Sequence, residues 1–206
     1  PTRRSSDLDL MREHHVPDWY IGSCKKIKYM FPRAHAVAYV MMSYRIAYYK
    51  VYYPPEFYAV YFTTKAADFD EKTILRGSLA VQEKMDDIIT KGNNASKKEE
   101  AEMIVLEVAY EMYARGYEFL PARLGISDGT KFGTKDGKVV LPFVAVSGVG
   151  ETAARSLADE YKVRPYETVD EIRERAKINK TAIEELREHG VLEGLPETDQ
   201  LSLFSF

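Results

Sequence analysis

The sequence predicts a mainly α chain with one small β element. Three observations carry that prediction. Apolar residues recur at helical spacing through most of the 206 residues. Helix start and stop signals bracket those stretches. A tight-hairpin signal, Asp136-Gly137, lies between short strand-like runs.

Pro17, at a first helical position with Asp18 behind it, predicts a helix through about Met30. Its spacing puts Trp19, Ile21, Cys24, Ile27 and Met30 or Phe31 on a buried stripe. Proline cannot continue that helix but suits the start of the next, so Phe31-Pro32 is a helix–helix junction. The second helix is long and stops before Pro54-Pro55. A third runs from Pro55-Glu56 to Thr63 or Thr64, apolar nearly all round and therefore expected to be buried. Asp68 to Lys91 reads as one helix ending at Gly92, although Gly77 costs it about 1 kcal/mol relative to alanine. Its acids Asp68, Asp70, Asp86 and Asp87 suit a solvated face better than a metal site. Ser96-x-x-Glu99 is a capping box opening a helix that stops at Gly116. Strand-like runs follow at residues 117–127, broken by Pro121, at 130–133 and at 138–143.

The bulk composition excludes several classes. With 45% hydrophobic residues the chain can fill a core, and its formal charge of −3 argues against a generic nucleic-acid coat. Charge is uneven, however. Residues 17–50 carry six lysines and arginines against Asp18 alone, a net of +5. Residues 151–199 hold thirteen acids against eight lysines and arginines, a net of −5. Cys24 is the one cysteine, so there is no intrachain disulfide framework and no thiolate cluster for zinc. A reducing cytoplasm is the default compartment. Arg45 and Lys50 interrupt the tyrosine-rich helix, so no membrane span is expected.

The basic block surrounds the Phe31-Pro32 junction. Lys25, Lys26, Lys28, Arg33 and His35 flank a helix N-terminus, whose free N–H groups and positive dipole end suit a phosphate. Tyr29, Phe31 and Tyr39 offer aromatic faces on which a base could stack. The same aromatic spacing also serves core packing, and His35 alone reads equally as a structural histidine.

Phe31-Pro-Arg-Ala-His35-Ala-x-Ala-Tyr39, with Ser43-Tyr44 and Lys50-x-x-Tyr53-Pro54-x-Glu56-Phe57-Tyr58, resembles the fingers motif of the C-family alpha subunits of bacterial DNA polymerase III. Pro17-Asp-Trp19-Tyr-Ile-x-Ser-Cys24-Lys-Lys-Ile-Lys-Tyr29 resembles the polymerase C branch, and the likeness spans roughly residues 16–206. Residues 1–8 do not fit it. They resemble a translated adapter oligonucleotide and are expected to be a non-native scar, leaving the chain the tail of a longer gene. Two further resemblances lie downstream. Val146-Ser147-Gly148-Val149-Gly150, ahead of a helical stretch, is similar to the turn of a helix-hairpin-helix DNA-binding unit, where glycines let backbone N–H groups approach a phosphate. A second unit is expected at 176–192 with Lys177 and Lys180, but it lacks the Gly-x-Gly, which puts its backbone contacts in question. Gln200-Leu201-Ser202-Leu203-Phe204 resembles the short motif by which bacterial replication proteins bind the sliding clamp.

The resemblance implies a helical fingers region at 9–116, a small β connector at 117–142, a tandem helix-hairpin-helix duplex-binding domain at 143–195 and a flexible tail at 196–206. It implies nucleotide-binding roles for Lys28, Tyr29, Arg33, His35 and Tyr39. DNA-binding roles fall to Arg45, Lys50, Ser147, Gly148, Val149, Gly150, Lys177 and Lys180, and clamp binding to Gln200, Leu201, Ser202, Leu203 and Phe204. Expected partners are primer–template DNA, a deoxynucleoside triphosphate, the clamp and the polymerase palm, in a bacterial cytoplasm at the nucleoid. The family reaction is two-metal phosphoryl transfer. Its Mg²⁺ ligands are expected outside this chain, which holds no matching aspartates and no metal site, so the chain alone should be inactive. The competing reading is a non-enzymatic adaptor that uses the hairpins and tail but needs no nucleotide seat.

Overall fold

The computed structural model describes residues 5–26 and 33–198. The chain divides into two compact units, Pro1–Ala47 and Tyr48–Phe206.

In the first unit, helix α1 (Ser5–Glu13) closes through His15 in the left-handed region, and Pro17 leads into α2 (Asp18–Lys26). Ile21 and Cys24 are buried as the spacing predicts. Trp19 is not: it is 75% exposed and packs its edge against Tyr20. The rest of that predicted stripe lies outside the described residues. Helix α3 (Arg33–Tyr52) belongs to the first unit up to Ala47. It buries no side chain along its twenty residues.

The second unit begins at Tyr48. Helix α4 (Pro54–Thr64) starts on the proline pair and buries Tyr58, Ala59 and Phe62, while Val60 faces out. Phe62, Phe69, Phe119 and Phe132 then meet with ring centroids 4.9–5.8 Å apart. Thr63 hooks the connector to α4, since its hydroxyl donates to the Ala59 carbonyl and accepts the Phe132 N–H at 2.9 Å.

The single helix expected from Asp68 to Lys91 is three pieces. A 3₁₀ turn (Ala66–Asp68) precedes α5 (Glu71–Ile74), which Asp70 caps through the Thr73 N–H. Gly77 at φ +97° then breaks the chain before α6 (Ser78–Lys91). The apolar spacing was continuous, but the aspartate cap and the positive-φ glycine overrule it. Helix α7 (Lys97–Ala114) packs on α6 and carries both halves of the capping box, Ser96 Oγ accepting from the Glu99 N–H and Glu99 accepting from the Ser96 N–H at 2.8 Å. Lys91 pairs with Asp87 and Glu99, both at 2.8 Å, joining the end of α6 to the start of α7. Gly116, at φ +83°, is the stop.

The β element has three short strands, β1 (Phe119–Leu120), β2 (Gly133–Lys135) and β3 (Lys138–Val140), in the order β1-β3-β2. Strands β2 and β3 pair antiparallel around Asp136 and Gly137, both at positive φ as a tight I′ turn requires. Strand β1 adds in parallel to β3, with Phe119 opposite Val139.

After a 3₁₀ turn (Phe143–Ala145) come α8 (Glu151–Val163), α9 (Val169–Arg175) and α10 (Lys180–Glu188). Among the described residues one hydrophobic cluster runs from Tyr58 to Leu192. It passes through both places where domain boundaries were expected, residues 116–117 and 142–143. The first residues of the expected flexible tail are fastened down: the Pro196 and Glu197 carbonyls accept the Val169 and Asp170 N–H groups at 3.0 and 3.1 Å. These amides open α9 and have no partner within their own helix. The Glu197 carboxylate pairs with Arg187 as well.

Candidate nucleic-acid interface

Two turns in the second unit share one backbone plan. In the first, Gly148 sits at φ +78°, Val149 is buried, and Gly150 takes the extended N-cap conformation (φ −71°, ψ 157°) ahead of α8. In the second, Lys177 sits at φ +54°, Ile178 is buried, and Asn179 takes the N-cap conformation (φ −73°, ψ 164°) ahead of α10. Position for position, the left-handed residue, the apolar anchor and the N-cap recur. The missing glycines therefore do not change the turn, because Lys177 accepts the left-handed strain and Asn179 needs none.

The turns differ in how they treat their free amides. Asn179 accepts the Ala182 N–H at 2.8 Å, so part of α10's N-terminus is already capped. Gly150 has no side chain to do this, and no side-chain cap closes α8. The opening turn of α8 thus presents bare N–H groups and the positive dipole end to solvent beside exposed Ser147 and Gly148. Val149 is engaged inward, its side chain in the core and its N–H on the Val146 carbonyl at 3.1 Å.

The first turn packs against the helix that the second one opens. A Cβ at Gly148 would lie 2.9 Å from Glu185 Cγ on α10. Arg175, the last residue of α9, donates to the Glu160 and Arg164 carbonyls at 2.6 and 2.8 Å and lies 4.6 Å from the Tyr166 ring centre. One side chain thereby ties the end of α8 to the entry of the second turn.

Behind the first turn lies a buried ionisable pair. His189 Nδ1 is 2.6 Å from the Glu185 carbonyl, so that nitrogen must be the donor, and Nε2 faces Glu71 Oε2 at 3.0 Å. Burial pushes the Glu71 carboxyl above its ordinary value; His189, Lys72 and the Ser147 N–H draw it back only in part. On the turn at 128–131, burial raises the Asp128 carboxyl, but the N–H groups of Thr130 and Lys131 together with the Lys162 and Lys131 charges hold it below its usual range.

The other expected site residues fall elsewhere. Arg33, His35 and Tyr39 occupy the first two turns of α3, all exposed, with the His35 and Tyr39 rings edge-on at 4.5 Å. Arg45 is exposed on the same helix. Lys50 is engaged within the protein, 2.8 Å from Glu111 and 5.4 Å from the Phe57 ring centre. Lys28 and Tyr29 lie outside the described residues, as do Gln200, Leu201, Ser202, Leu203 and Phe204.

The family model described as a helix-hairpin-helix motif matches residues 116–201, which contain both turns. Three relatives named DNA polymerase III PolC-type match nearly the whole chain. That of Clostridium perfringens is 50% identical over 198 residues, covering 96% of this chain and 14% of its own. That of Halalkalibacterium halodurans is 49% identical with the same coverage, and that of Bacillus subtilis is 46% identical over 94% of this chain and 14% of its own. The chain belongs to the PolC-type DNA polymerase III family. It spans about one seventh of the length of the relatives it matches, 14% in each case. It is mainly helical with a small β element.

Sequence reading pointed to residues 147–150, Lys177 and Lys180. Asn179 and Glu185 were missed. The Asn-Lys pair at a helix start was the available signal for the first; only the fold could place the second against Gly148. Among the described residues no group of three or more His, Cys, Asp or Glu side chains is gathered to hold a metal ion, and no helix is long and apolar enough to cross a membrane.

Proposed function

We propose that the chain is the C-terminal, duplex-holding part of a replicative DNA polymerase of the PolC type. The repeated turn carries this reading: two tight turns of one backbone plan, each opening a helix, suit two phosphates of a duplex held without reading its sequence. Of residues 147–150, Gly148 and Gly150 would offer their N–H groups to the first phosphate, since the Ser147 N–H is turned to Glu71 and the Val149 N–H donates to the Val146 carbonyl at 3.1 Å. Lys177 and Lys180, both exposed, would add charge at the second. The net −5 of the surrounding segment is compatible with this, since only the turns need be positive.

The fingers reading rests on Arg33, His35 and Tyr39, all presented to solvent by α3, with the His35 and Tyr39 rings side by side. In the whole polymerase Lys28, Arg33 and His35 would face the incoming triphosphate, Tyr29 or Tyr39 its base, and Arg45 the template. Lys50, spent on Glu111, better supports the helix than the template. Residues 200–204 would bind the sliding clamp. The residues described here do not fit a site for the Mg²⁺ of phosphoryl transfer, so no step of that reaction is assigned to them. The palm and its metals would come from outside this chain, in a bacterial cytoplasm at the nucleoid, and the chain alone should not extend a primer.

The test is anisotropy of a dye-labelled primer–template duplex across a salt series. Binding that weakens steeply with salt and is lost when Gly148 and Gly150 are replaced supports the reading. A folded chain that ignores the duplex at low salt would sink it. Primer extension by the chain alone would refute its inactivity.

A further inference from the structure

An open cleft of about 830 Å³ lies in front of the first turn, and it is bounded by more than that turn. Residues 147–151 form one wall, Thr63 and Phe69 part of the floor, and Thr130 and Lys131 the facing edge. The edge is built rather than incidental. Asp128 Oδ1 accepts the Thr130 and Lys131 N–H groups at 2.9 and 3.1 Å, which fixes the direction of the turn. The Asp128 and Gly129 carbonyls accept the Phe143 and Val144 N–H groups at 3.0 and 2.9 Å, stitching it to the segment that leads into residues 147–150. Gly129 is the point of closest approach: a Cβ there would lie 2.8 Å from Arg155 Cα and 2.9 Å from the Ala154 carbonyl oxygen. Only a glycine lets this turn lie on the first turns of α8.

Two cations line the cleft, and one of them is closely paired. Arg155 is held by Glu151 at 2.7 Å, so these two cancel. Lys131 is exposed, and its ammonium makes no close ion pair among the described residues, although its charge helps to hold the Asp128 carboxyl down. A strongly hydrated point charge on a flexible stem suits a backbone phosphate that needs attraction without geometry.

We propose that Lys131, carried by the turn at 128–131, is a further phosphate contact of this site, taking a backbone phosphate of the duplex next to the one seated on residues 147–150. The inference rests on the duplex-binding reading above. It makes the β connector part of the DNA-holding surface, with Gly129 and Asp128 as its positioning residues.

The experiment compares Lys131→Ala and Lys131→Arg with the unsubstituted chain, by anisotropy of the same labelled primer–template duplex over a salt series. Gly148 and Gly150 replacements run in parallel. Losing one phosphate contact lowers the steepness of log affinity against log salt by about 0.9, which at roughly 0.15 M salt is about a fivefold loss of affinity. Lys131→Ala should show both changes and Lys131→Arg neither. An unchanged slope in Lys131→Ala, while the glycine replacements abolish binding, overturns this inference and leaves the turn reading standing. Absence of binding by the unsubstituted, folded chain overturns both. Lys131 is exposed, so loss of fold in the alanine variant is not expected; circular dichroism of each variant checks it.

Discussion

Replacing Arg175 tests whether the two turns are held as one body. Its guanidinium donates to two carbonyls at the end of α8, at 2.6 and 2.8 Å, and covers the Tyr166 ring. Hydrogen bonds from a charged donor contribute about 1.5 kcal/mol each, and the ring contact on the order of 0.5–1 kcal/mol. The ion pairs to Glu160 and Glu171, at 3.8 and 3.7 Å, add little at these lengths. Against this stands the buried Nη1, which has no hydrogen-bond partner and costs about 1 kcal/mol. The net loss in Arg175→Ala is therefore about 3 kcal/mol. For a chain of this size that is roughly 6–12 °C in Tm. Both carbonyls accept from Nη2, so Arg175→Lys keeps a charged donor but gives up the reach of that nitrogen and the planar group over the Tyr166 ring, and it should recover only part of the loss. Urea titrations followed by circular dichroism give the differences directly. An alanine variant within about 1 kcal/mol of the parent, or a lysine variant equal to it, would refute the role given to Arg175.

Three further outcomes are expected. Gly148→Ala should lose about 1–2 kcal/mol to left-handed strain, with Glu185 forced off the turn as well, and should weaken duplex binding more than it lowers Tm would suggest. Ser96→Ala should cost about 1 kcal/mol at neutral pH. The Lys91 ammonium and the Ser96 N–H and hydroxyl pull Glu99 down to about 2, so its contribution is present above the ordinary carboxylate value and fades as pH falls toward that number; Glu99→Gln should flatten this acid limb in a stability–pH profile. Glu71 is the opposite case. Burial raises its folded value above 4.5, so the parent is favoured below that pH and loses ground as pH rises through the folded value. Glu71→Gln should therefore gain on the parent from acid to neutral pH, and a constant difference across that range would show the carboxyl to be unperturbed.

How much of this was legible depended on whether the controlling contact was local. The capping box at Ser96 and Glu99, the stop at Gly116 and the turn at Asp136-Gly137 involve residues a few positions apart, and they stand where the sequence puts them. Residues 68–91 misled for the converse reason: apolar spacing runs through Gly77, and only the backbone angle there reveals the break. Trp19 fits the helical stripe by spacing, yet spacing does not say which side meets a neighbour. In the second turn the eye looks for glycine, whereas the fold asks only for a left-handed residue, a buried apolar one and a cap. Lys177, Ile178 and Asn179 meet those needs with other side chains. Glu71, Glu185 and His189 come together from α5 and α10, and no local pattern could have joined them.

The unbroken apolar cluster from Tyr58 to Leu192 has a consequence for how such a segment can be inherited. The stretch matched by the helix-hairpin-helix description begins at residue 116, yet Phe119 and Phe132 rest on Phe62 and Phe69, which precede it. Cut out at that point, it would carry an open aromatic face in place of an interior. The two turns are therefore not a portable cassette that recombination could graft alone; they travel with the helices from α4 onward or not at all.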